Sequence, residues 1–90
     1  MSVYIITYDL NREAVRPNIT KAIKDAYPNW AKLSESSYAV STSSTPEQVY
    51  NKLKPLIDSN DYIFVITLKK PYWGFGAKDV IAWLDKHLTY

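Results

Sequence analysis

The residues with the most chemical promise are acids placed beside strand-like runs. In "YIITYDLN", residues 4–11, tyrosines and isoleucines give way abruptly to Asp9. A second acid, Asp61, directly precedes "YIFVITL", residues 62–68. Carboxylates set among hydroxyls and water suit Mg²⁺ or Mn²⁺, which take oxygen ligands and keep several waters. On that reading Asp9 and Asp61 are metal ligands that approach phosphate. The plainer reading is that Asp9 caps the next helix or forms an Asx-turn, and that Asp61 is a turn residue. One carboxylate makes a poor divalent site, whereas a dimer can bring two copies of Asp9 together.

The second chemical feature is "KKPYWGFGAKD", residues 69–79. Tyr72, Trp73 and Phe75 can stack on bases while Lys69, Lys70 and Lys78 meet the backbone phosphates. Alternatively the loop is an aromatic plug, with Gly74 and Gly76 allowing a tight turn. Gly-x-Gly without a third glycine is no nucleotide fingerprint. His87 is the sole histidine and the chain has no cysteine. Thiolate chemistry and disulfides are thereby excluded, and zinc is disfavoured. In the last turn of a helix, His87 suits the helix dipole. No nucleophile-elbow motif supports a serine-histidine-aspartate triad.

The elements that position these residues follow from periodicity. Residues 3–9 are rich in β-formers and predict a first strand. Val15, Ile19, Ala22, Ile23 and Ala26 fall at helical spacing, with Pro17 in the first turn and Pro28 as the stop. Residues 30–33 and 38–42 predict two short strands around the turn "SESS". "SSTPEQ" opens a second helix: Thr45 caps, Pro46 takes the first position and Gln48 completes a capping box. Pro55 predicts a kink or an early end to it. Residues 62–68 form the fourth strand, and Val80, Ile81, Trp83, Leu84 and Leu88 mark a third helix.

The order β-α-β-β-α-β plus a terminal helix predicts a single α+β domain over residues 1–90, ferredoxin-like, with a four-stranded antiparallel sheet. The first and third strands are expected side by side and parallel at its centre, with the fourth beside the first. The tip of the first strand then gathers Asp9, Asn11, Arg12, Thr42, Ser43, Ser44, Asn60 and Asp61. Both sheet-covering helices are expected to begin there, and their N-termini favour anions. Asn11, Arg12, Ser43 and Ser44 are accordingly candidate contacts to nucleic acid.

Alternation divides the first strand into Val3, Ile5, Thr7 against Tyr4, Ile6, Tyr8, and the fourth into Ile63, Val65 against Tyr62, Phe64, Ile66. Both faces are apolar, yet two helices cover only one. A second copy packing face to face through Tyr4, Ile6, Tyr8, Tyr62, Phe64 and Ile66 is the leading covering. The others are the terminal helix and a base-stacking platform.

The totals agree with a small domain. Ninety residues bury only about 60% of the surface their unfolded chain exposes. A net charge of +2 is too mild to announce nucleic-acid binding. Eight tyrosines and three tryptophans are heavy for this length, and surplus aromatic surface is often buried on a partner or stacked on bases. No signal-peptide pattern or membrane-length apolar run is seen, so a cytoplasmic protein without a membrane partner is expected.

Over residues 2–69 the pattern resembles a known family. "VYIITYDL" before a helix, then "SSYAV", a helix and "DYIFVITL", is similar to the small CRISPR-associated endoribonucleases (the second of the Cas proteins) and the related VapD toxins. Small bacterial proteins with a SinR-like label share the "TYDLN", "LSESSYA" and "WGFG" features, although no helix-turn-helix is evident. The resemblance implies a homodimer with packed sheets and Asp9 near its axis. There Asp9 would serve as the catalytic residue, holding a divalent metal for phosphodiester cleavage of RNA or DNA. The chain departs from that family at "KLSESS", where an arginine and glutamine are usual, and in ending with a helix instead of a fifth strand. A dimeric interaction or regulatory module without nuclease activity is the alternative.

Overall fold

The computed structural model describes residues 1–89. Strand β1 spans Ser2–Asp9, helix α1 Arg16–Ala26, β2 Trp30–Ser34, β3 Ser37–Thr42, α2 Pro46–Leu53, β4 Tyr62–Leu68 and α3 Lys78–His87. Single 3₁₀ turns precede α1 at Glu13–Val15 and follow α2 at Lys54–Leu56. Local sequence explains most boundaries. Thr45 Oγ1 accepts the Gln48 N–H at 3.1 Å while Gln48 Oε1 accepts the Thr45 N–H at 2.8 Å, the reciprocal cap expected. Helix α2 ends at Leu53 and gives way to a turn containing Pro55, which cannot donate an intrahelical bond.

The strands form one antiparallel sheet in the order β2-β3-β1-β4, consistent with a ferredoxin-like fold. Expected parallel, β1 and β3 instead run antiparallel, with Ser2 opposite Thr42 and Thr7 opposite Ser37. The reason is topological. A helical crossover makes β1 and β2 parallel, and β3 turns back from β2 through the tight turn at residues 35–36. Running opposite to both, β3 occupies the gap between them.

Register also settles which side chains share a face. Ile6 lies opposite Val65 and Tyr8 opposite Ile63, whereas Ile5 lies opposite Ile66 and Thr7 opposite Phe64. The dimer face read from sequence therefore splits in two. Tyr4, Ile6 and Tyr8 are buried with Ile19, Ile23, Val49 and Leu53 in the core beneath α1 and α2. Tyr62, Phe64 and Ile66 belong to the outer face, where they are 65%, 60% and 51% exposed. Alternation assigns residues within each strand to two faces, but it does not say which set in one strand matches which set in the next.

The terminal helix folds back over part of that outer face. Leu84 and Leu88 bury Val3 and Ala39, with Leu68, Tyr72, Val80 and Trp83 packed around them. Beyond this second, smaller core the outer side of β4 stays open.

Candidate functional site

The tip of β1 is built from different neighbours than the parallel arrangement implies. Because β3 is antiparallel, its end and the start of α2 lie at the opposite end of the strands, with Thr42 facing Ser2. Tyr4, near the beginning of β1, donates its hydroxyl hydrogen to the Ser44 carbonyl at 2.6 Å. Ser43 and Ser44 are thus separated from Asp9 by the length of the strand. Of the two helices expected to begin at this tip, α1 does, whereas α2 ends there.

Asp9 is exposed and lines an open groove of about 500 Å³ with Thr7, Tyr8, Arg16, Ser36, Tyr62 and Phe64. Arg16 donates to the Glu35 carbonyl and lies 5.6 Å from the centre of the Tyr8 ring. The Tyr8 hydroxyl donates to the same carbonyl at 3.2 Å, and the Ser36 carbonyl accepts the Tyr8 N–H at 2.9 Å. Burial pushes the Tyr8 phenol above its ordinary pKa, and neighbouring Tyr38 adds to the shift. Arg16 and Ser36 escaped the sequence reading. The two-residue turn after β2 was the signal that could have found them, since it forces the hairpin that brings Ser36 to this tip.

Asp61 plays a separate part. Its Oδ1 accepts the Asn11 N–H at 2.7 Å and its Oδ2 accepts the Asp58 N–H at 3.0 Å. These backbone donors, Asn11 first, hold the Asp61 carboxyl below its ordinary pKa, with the Arg12 charge adding a smaller effect. Arg12 itself lies 3.7 Å from Asp58. Asp61 therefore ties the β1–α1 loop to the loop before β4, so Asn11 and Arg12 belong to a structural clasp. Asp61 lines a second hollow, beside Asp58, Tyr62 and Ile63, that Asp9 does not reach.

The pair fits a shared divalent ion poorly. Both Asp61 oxygens already hold backbone N–H groups, and the two acids line different hollows. Among the described residues no group of three or more histidine, cysteine, aspartate or glutamate side chains could hold a metal ion.

The loop after β4 departs from the plug reading. Trp73 and Phe75 are wholly exposed. Only Tyr72 of the three aromatics packs against the smaller core, and its hydroxyl donates to Asp85 Oδ1 at 2.7 Å. That bond raises the Tyr72 phenol's pKa. A hollow of about 270 Å³ lies between this loop, Lys32 and Leu33 of β2, and Val80, Ile81 and Leu84 of α3. Lys69 and Lys78 are exposed at the two ends of the loop, and the Lys70 N–H donates to the Thr89 carbonyl at 2.6 Å. His87 stacks on Trp83, with ring centres 4.3 Å apart.

Compared with known proteins, the chain matches no family model and no curated protein. No described helix is long and apolar enough to cross a membrane.

Proposed function

We propose that the chain binds single-stranded RNA or DNA through the loop between β4 and α3. The observation that carries this is the complete exposure of Trp73 and Phe75. Holding two large apolar rings in water gives the folded chain nothing, whereas base stacking on such rings contributes about 1–3 kcal/mol per base. Lys69 and Lys78 stand at either end to meet phosphates, and Lys32 lines the hollow beneath. Lys70 belongs to the same segment. Asp9, an anion on another part of the surface, has no place in phosphate binding of this kind.

The test is a titration of the protein with a short oligo(U) or oligo(dT), followed by tryptophan fluorescence and repeated at rising salt. Binding should quench the emission and weaken steeply with salt, as phosphate contacts do. Trp73→Ala should lower affinity about tenfold, the equivalent of about 1.4 kcal/mol, with an unchanged circular dichroism spectrum. Failure of both oligonucleotides to bind overturns the reading and leaves the loop as a surface for protein contacts.

A further inference from the structure

Strand β4 is an edge of the sheet, with β1 on one side and, among the described residues, no strand on the other. An edge strand presents a row of unpaired backbone N–H and C=O groups, and natural proteins blunt such edges with charges, proline or bulges. Residues 62–68, "YIFVITL", contain neither charge nor proline, and the pairing of β4 with β1 runs in unbroken register from Tyr62 to Leu68. Its outer row, Tyr62, Phe64 and Ile66, is exposed. An open hollow of about 420 Å³ touches Ile63 on the helix-covered face and Phe64 on the outer one. A hollow reaching both faces of an edge strand leaves space beside its backbone. The Thr89 carbonyl meets the Lys70 N–H, beyond the end of the strand.

Charge selects the occupant. Asp61 directly precedes β4, and Lys69 directly follows its end. A second copy running antiparallel sets the acidic end of each strand beside the basic end of the other. We infer that β4 pairs antiparallel with β4 of a second copy about a two-fold axis at Val65, joining two sheets edge to edge. In this register Phe64 faces the partner's Ile66, Tyr62 the partner's Leu68, and Asp61 the partner's Lys69. Exposed ion pairs add little affinity, so these fix register while the backbone ladder and the outer apolar rows hold the pair. Face-to-face sheet packing, the arrangement implied by resemblance, makes no such ladder.

The absence of cysteine allows a direct test. Opposed residues in an antiparallel pair have Cα atoms about 4.5–5.5 Å apart, within the span of a disulfide. Phe64→Cys and Ile66→Cys should therefore cross-link several-fold faster under mild oxidation when mixed than either does alone. Sedimentation of the unmodified chain should give twice the monomer mass. Ile66→Lys should return the monomer with unchanged circular dichroism. A chain that stays monomeric up to its solubility limit overturns the inference. So does a dimer whose mixed cysteine variants cross-link no faster than the single ones, or one that survives Ile66→Lys, and so does open-ended aggregation. None of these readouts uses nucleic acid, so the result is independent of the loop's ligand.

Discussion

Two aspartates of one chemical type do different work, and their hydrogen bonds separate them. Asp61 holds two backbone N–H groups across two loops, whereas the Asp9 carboxylate makes no described hydrogen bond and the residue stands exposed opposite Tyr62. Their response to acid should differ accordingly. The folded Asp61 carboxyl titrates below its ordinary value of 3.8, so the unfolded chain takes up its proton first as pH falls. The stability Asp61 contributes is complete above that ordinary value, declines below it, and is gone once pH drops beneath the folded value. Asp61→Asn should thus lower Tm at pH 7 and flatten the acid limb of a Tm-against-pH curve. Asp9→Asn should leave both nearly unchanged. A destabilised Asp9→Asn would mean that Asp9 caps or clasps after all. Sequence already marked Asp61 as the plainer turn residue of the two acids, but it did not show what Asp61 holds, because the donors that occupy it come from residues 11 and 58 and meet only in the fold.

Signals that act within one element were legible. The second helix follows from six residues, and its capping box forms as the spacing of Thr45 and Gln48 requires. Thr45→Ala should cost about 1 kcal/mol, the usual value for a lost N-cap, and lower Tm by about 4–8 °C in a domain of this size. Thr45→Ser, which keeps the acceptor oxygen, should recover most of that in the same thermal melt. The direction of β3 was not legible in this way, since it is decided by what β2 and the crossover helix leave open. One wrong direction set Ser43 and Ser44 beside Asp9, when they lie at the far end of the strands, and hid Ser36 and Arg16. The loop after β4 misled for a related reason. Aromatic residues interleaved with glycines suit a plug or a platform equally, and only the fold shows that Tyr72 packs while Trp73 and Phe75 stand in solvent.

At the scale of the whole molecule, the sheet has one face sealed by two helices and another partly sealed by a third. Strand alternation revealed that both faces are apolar, but only register reveals that Ile6 and Ile66 lie on opposite sides. The same substitution at these two positions measures that difference. Ile6 is wholly buried among tyrosines, isoleucines and leucines, and Ile6→Ala should cost about 2–5 kcal/mol in lost transfer energy and residual cavity. Domains like this hold only about 5–15 kcal/mol in total, so the variant should lie close to unfolding. Ile66 is half exposed, and Ile66→Ala should cost about 1 kcal/mol or less in dilute protein. Urea unfolding reads both as shifts in midpoint. If two copies join along β4, the small cost at Ile66 should grow with protein concentration, because Ile66 then leaves water only in the pair. The large cost at Ile6 should stay constant, since its cavity lies within one chain. Equal costs at every concentration would mean that the outer row of β4 meets nothing but solvent.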